Sequence, residues 1–300
     1  MRLSLILAVI FVTLGFNASL HADDKSWNEW SKFGENVIAN EILPEFRNGM
    51  TRAERRLLRS IDIEIPRMPY YRAFATIRSG KRIISISSSF IANAELHNQA
   101  YVLAAYFDEA DSLGPYFEYL EDLFHANTES LAQGKQAKKA TSFGLYLGWS
   151  DERNEVTLSS PNIKGARRFF TVEGLAFVLA HEFAHQHFDH VSFSSSASEQ
   201  RRLEVEADDY AAELLIRSGF NPLAALPTMT WFYQLEGTRT EESTHPNSTC
   251  RAANSIKAGL REARSDRDFI KYARTDPNAA NLLENGDNLI REMKKEYECE

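Results

Sequence analysis

The chain has 300 residues, with Lys+Arg 34 against Asp+Glu 42, a net charge of −8 and 43% hydrophobic residues. That acidic balance, with no basic block beyond the short Arg52–Arg59 cluster, excludes a nucleic-acid binder, and a mean hydropathy of −0.38 excludes a polytopic membrane protein. Two cysteines, neither of them in a CxxC, are too few for a disulfide-built scaffold.

Arg2, the apolar run Leu3–Phe16 and the segment Ala18–Ala22 before Asp23 follow the basic, apolar, small-residue order of a cleavable signal peptide, residues 1–22. The run is shorter than the roughly 20 residues a spanning helix needs, and no Cys follows it for lipid attachment. The mature chain, residues 23–300, is therefore expected to be periplasmic or secreted, with no spanning segment after cleavage. In such an oxidising compartment Cys250 and Cys299 are expected to pair.

Trp27–Glu45 reads as an amphipathic helix, and Thr51-Arg-Ala-Glu54 as a capping box opening a short helix to about Ser60. Ile61–Ile65 alternates as a strand does and stops at Pro66; Tyr70–Ile77 and Arg82–Ser87 read as a hairpin around Ser79-Gly80-Lys81. A mostly helical stretch follows from Ile91 to about Ala140, and Phe143–Leu147 and Glu155–Leu158 are predicted as strands. From Thr171 the pattern is helical almost to the end, broken at Ser192–Ser198, Gly219–Pro222, Gly237–Pro246 and Asp276–Pro277. The expected fold is α+β and mostly helical: one domain with a small sheet from Ile61 to Ser88 and a helical insertion around residues 91–170.

The chemistry is concentrated in Leu175-Ala-Phe-Val-Leu-Ala-His181-Glu182-Phe-Ala-His185. HExxH on a helix sets the two imidazoles one turn apart on one face, so both reach one tetrahedral zinc. Glu182 then sits beside the water such an ion activates and can take its proton. A catalytic zinc site needs one more protein ligand. Ser196-Ala-Ser-Glu199 opens a further helix carrying Glu204 and Asp208, again at i and i+4, beside an apolar stripe of Leu203, Ala207, Tyr210, Ala211 and Leu214. Packed on the first helix, it aims Glu204 at the metal as third ligand and Asp208 at a ligand imidazole's other nitrogen. Glu206 lies about 200° from Glu204 on the wheel and is the poorer ligand.

The helix ending in His181-Glu-Phe-Ala-His185, with His190 after it, resembles the active-site helix of the M48 family of zinc metallopeptidases. Glu204-Val-Glu-Ala-Asp208 is similar to that family's ExxxD segment, and Ser243-Thr-His245-Pro246 followed by Arg251 to its His-Pro…Arg segment; the match covers about Leu175 to Ile256. The resemblance implies a gluzincin-like metallopeptidase fold, one Zn2+ per chain, and protein or peptide substrates held extended on an edge strand above the HExxH helix. For secreted bacterial members it implies envelope protein quality control among envelope partner proteins.

This chain departs from the family in two places. Only 18 residues separate His185 from Glu204, and the stretch from Ile91 to about Phe170 stands where a short link from edge strand to active helix is usual. Arg82–Ser87 is the candidate edge strand. In the family's architecture the His-Pro segment overlies the cleft, which leaves three roles open for His245. It can stabilise the oxyanion, occupy the fourth zinc position as a latch, or simply cap the turn at Pro246.

The function expected is a zinc-dependent endopeptidase. The alternatives are another zincin-type hydrolase, or a non-catalytic zinc-binding chaperone or assembly factor of the envelope. A structural zinc site closes its fourth position, ideally with Cys, and no Cys lies near either helix in sequence. His187 and His190 receive no role, Ser192–Ser198 reads as a plain connecting loop, and His97 and His125 as surface residues. Trp27, Trp30 and Tyr116–Phe124, at helical spacing, read as core or, alternatively, as a membrane- or partner-facing surface.

Overall fold

In the computed structural model the described residues are 24–69, 71–135, 137–192, 196–223, 225–229, 231, 248–275 and 277–296. The expected signal peptide, His245 with Pro246, and Cys299 lie outside them. The chain begins with α1 (Asp24–Val37), which runs through a π-helical turn (Ile38–Ile42) into α2 (Leu43–Gly49), and α3 (Arg52–Leu58) follows. The capping box is formed in full: Thr51 accepts the Glu54 amide while the Glu54 carboxylate accepts the Thr51 amide.

Three strands make the only sheet among the described residues: β1 (Ile61–Glu64), β2 (Ala73–Arg78) and β3 (Lys81–Ile86), in the order β1-β3-β2. β2 and β3 pair antiparallel across Ser79-Gly80, both at positive φ (53° and 78°), as a two-residue primed turn requires. β1 pairs with β3 in parallel, Ile61 opposite Arg82. β3 is therefore the central strand, which corrects the reading of Arg82–Ser87 as an edge. Its run Ile83-Ile84-Ser85-Ile86 is buried on both faces, as the continuous apolar pattern of a central strand demands. The edges are β1 and β2.

α4 (Ser88–Phe107) and α5 (Leu113–Ala132) form the helical stretch expected after the sheet. The two strands predicted next are helices instead, α6 (Phe143–Tyr146) and α7 (Asp151–Ser159). Local capping decides α7: the Ser150 hydroxyl accepts the Arg153 amide, and Asp151 and Glu152 in the first turn favour the positive end of the helix dipole. α8 (Pro161–His187) starts at Pro161, ahead of the expected Thr171. α9 (Ala197–Arg217), α10 (Ser248–Ser265), α11 (Arg267–Ala273) and α12 (Pro277–Glu296) follow.

The main core gathers Phe46, Ile84, Phe90, Phe177, Phe183 and Leu214 between the sheet, α4, α8 and α9. Each fully buried side chain of this size contributes roughly 2–3 kcal/mol. A second cluster, around Leu103, Tyr116, Phe117, Phe143 and Ile163, joins α4–α7 to the start of α8. His97 belongs inside, correcting its assignment to the surface: it is 1% exposed, its Nδ1 lies 2.9 Å from the Asn93 carbonyl and its ring stacks on Phe117 at 4.8 Å. α4 is buried around most of its circumference, so its pattern shows no outward face. His125 is exposed, as expected. A Cβ on Gly174 would sit 2.0 Å from Thr228 Oγ1, so the segment holding Thr228 packs on the bare backbone of α8.

Glu54 ties α3 to α9. Its carboxylate accepts the Tyr210 hydroxyl at 2.8 Å and faces Arg217 at 3.5 Å. Burial works against its charge, but the Thr51 amide, Tyr210 and Arg217 outweigh that and hold its pKa down to about 2, from an ordinary 4.5. A depressed carboxylate stabilises the fold above its unfolded value and loses that contribution as the pH falls towards the folded one. Glu54→Gln should therefore cost about 1–3 kcal/mol at neutral pH, and the gap to wild type should close between about pH 4.5 and pH 2. Urea titrations at pH 7 and pH 3 that gave the same gap would refute this account.

Candidate metal centre

The last three turns of α8 are enclosed: from Leu175 to Ala184 no residue is more than 3% exposed, including His181 at 2% and Glu182 at 3%. α9 lies along this face through Ala207, Ala211 and Leu214, all fully buried. Small side chains bring the two backbones close, with Phe183 and Tyr210 packed at 6.0 Å further along. This packing brings Glu204 to the two histidines.

The Nε2 atoms of His181 and His185 are 3.0 Å apart. Glu204 Oε2 lies 3.4 Å from His181 Nε2, and its Oε1 3.6 Å from His185 Nε2. One ligand atom from each of the three residues fits within a 4.8 Å cluster. A tetrahedral zinc with ligands at about 2.0–2.1 Å separates its donor atoms by about 3.3–3.4 Å, so this triangle is close to the size zinc requires. Two imidazole nitrogens at 3.0 Å also need a proton or a cation between their lone pairs. Both the donor set and its spacing fit the ion.

Behind the triangle stands a buried charge network. Asp208 Oδ1 is 2.9 Å from His181 Nδ1. Arg251, from the first turn of α10, donates Nε to Asp208 Oδ2 at 2.7 Å, and Nη2 to Asp208 Oδ1 and Glu204 Oε2, both at 3.0 Å. Burial opposes charge on Asp208, yet Arg251 and His181 hold its carboxyl below the usual aspartate range. Glu204 is held low in the same way by His181, His185 and Arg251 against its own burial. Burial likewise opposes charge on His181, but Asp208 and Glu204 prevail and raise it to about 10. His185, desolvated and beside His181, is pushed down to about 3 and stays neutral.

Of the residues singled out in the sequence, His181, Glu182, His185, Glu204 and Asp208 come together here, while His245 lies outside the described residues. Cys250, which precedes Arg251, is disulfide-bonded; the other cysteine of the sequence, Cys299, lies outside the described residues. His187 serves packing, its ring against Phe183 at 5.9 Å and Tyr210 at 5.2 Å.

Three features escaped the residue-by-residue reading. Arg251, with a side chain of 0% exposure, is the hub of the network; the sequence named it only through the resemblance of its segment, with no role attached. His190 lies against His185, Nδ1 to Nδ1 at 3.1 Å, although it falls beyond the helix and off its period. Gln186 donates Nε2 to the carbonyls of Thr76 and Ile83, at 2.9 and 3.0 Å, and accepts Arg82 Nη1 at 3.0 Å. It thereby ties the end of α8 to β2 and β3, one residue after His185.

No curated protein and no solved structure matches the chain. A sequence model of a peptidase family does match, over residues 116–270, from the start of α5 into α11 and across the whole centre. That is more than half of the 300 residues, and the chain belongs to the peptidase U49 family.

Proposed function

We propose that the chain is a zinc-dependent endopeptidase whose centre works as in the M48 peptidases it resembles, acting on proteins of the cell envelope. The observation that carries this reading is the triangle of His181, His185 and Glu204 at zinc spacing, with a further buried carboxylate, Glu182, between the histidines on the same helix. Zinc bound there supplies a Lewis acid that polarises a scissile carbonyl and lowers the pKa of water.

The protein's own residues do the rest. Glu182 accepts the proton of the attacking water and passes it to the departing amine nitrogen. Asp208 keeps a proton on His181 Nδ1, which leaves the Nε2 lone pair facing the ligand triangle. Arg251 holds Glu204 and Asp208 in register. Envelope location rests on the expected signal peptide, residues 1–22.

Digestion of β-casein by the purified chain tests the reading. Activity should be present, vanish after zinc is stripped with a chelator, and return on adding about one equivalent of zinc. Digestion that survives complete zinc removal would overturn the metallopeptidase assignment. One bound zinc with no proteolysis would favour a non-catalytic envelope chaperone.

A further inference from the structure

The two histidines of the centre are supported differently. His181 hands its Nδ1 directly to Asp208 at 2.9 Å, a carboxylate with a side chain only 2% exposed and itself clamped by the fully buried Arg251. Among the described residues no carboxylate is placed against the Nδ1 of His185. That nitrogen meets instead the Nδ1 of His190 at 3.1 Å, the rings at 70° to each other. His190 in turn presents Nε2 to Glu206 Oε2 at 3.4 Å, and Glu206 accepts Arg202 Nη1 at 3.2 Å.

We propose that His190 and Glu206 form a relay that fixes the ring and the tautomer of the zinc ligand His185. The proposal rests on the zinc reading above. A ligating Nε2 must offer its lone pair, so the proton of His185 sits on Nδ1 and needs an acceptor. The Nδ1 of His190 is that acceptor, which places the His190 proton on Nε2, facing the Glu206 carboxylate. The His190 ring cannot swing freely: its side chain is 4% exposed and stacks on Phe188 at 5.5 Å and 25°. One histidine ligand is thus oriented by a buried carboxylate, the other through an intermediate imidazole by a carboxylate 38% exposed at the rim. His190 and Glu206 are positioning residues, the second of them on the face of α9 turned from the ligand triangle.

The test is zinc affinity, measured on the full chain by competition with a chromophoric chelator and read beside the thermal midpoint of the metal-free protein. His190→Leu keeps bulk but removes the acceptor, and should weaken zinc binding about 10- to 100-fold. His190→Asn sets an amide oxygen near the place of Nδ1 and should recover affinity to within about threefold of wild type. Glu206→Gln, on the half-exposed rim where folding is not at risk, should weaken binding by a factor of roughly three to ten. A purely packing role would lower the thermal midpoint in the leucine variant and leave the three affinities alike. Wild-type affinity in His190→Leu, or an asparagine variant as weak as the leucine one, would overturn the relay. Should His190→Leu not fold, wild-type affinity in Glu206→Gln would overturn it alone. A wild-type chain that binds no zinc would remove the zinc reading itself, and the relay with it.

Discussion

Glu182→Gln is expected to retain one equivalent of zinc and to lose about 10²- to 10⁴-fold in kcat. Glu182 stands outside the ligand triangle, which His181, His185 and Glu204 complete without it. Yet it lies between the two histidines on α8 and is only 3% exposed, one residue after His181 on the helix that carries both ligands. Glutamine has the same shape and can still hydrogen-bond, so the fold and the metal should survive. What it cannot do is accept a proton from water at neutral pH. Metal content by atomic absorption and β-casein turnover, measured on one preparation, separate the two effects. Full zinc with turnover within tenfold of wild type would sink Glu182 as the general base; lost zinc would place it among the ligands.

How far the centre was legible depended on whether each contact is local or long-range. HExxH and the pair Glu204 and Asp208 obey the helical period, and the stripe from Leu203 to Leu214 already indicated which face of α9 meets α8. The positions of β1, β2 and β3 were also readable, because alternation and the Ser79-Gly80 turn are local signals. Strand order was not: β3 is central because β1 returns to it in parallel across the whole hairpin, a choice made by burial on both faces of Ile83–Ile86. Segments as short as α6 and α7 carry too few residues for a period, and there Ser150 as a cap outweighs apparent alternation. The wrong placing of His97 and the absence of a role for His190 share one cause. Neither histidine has a partner at ligand spacing in sequence, and each finds its environment in another element, Phe117 of α5 for the first and Glu206 of α9 for the second.

Arg251→Leu is expected to destabilise the metal-free protein by about 3–5 kcal/mol, the cost of leaving buried carboxylates without their counter-ion. The guanidinium is wholly enclosed and bridges two carboxylates of α9 with three hydrogen bonds, from α10. Leucine would leave Asp208 with His181 alone. Arg251→Lys restores the charge but not the fork: one ammonium cannot engage both oxygens of Asp208 and reach Glu204 in the same plane. Lysine should therefore recover only part of the loss. The pH dependence has a definite sign. Asp208 and Glu204 are held below their ordinary range in the folded wild type, so their contribution is present above about pH 4 and is lost as the pH falls through their depressed values. Removing Arg251 takes away part of that depression, and the gap between wild type and Arg251→Leu should be widest at neutral pH and narrow below about pH 4. Urea unfolding of metal-free protein at pH 7 should show the gap as a midpoint shift on the order of 1 M. A loss of less than about 1 kcal/mol, or a lysine variant as stable as wild type, would mean that the centre does not depend on this arginine for its charge balance.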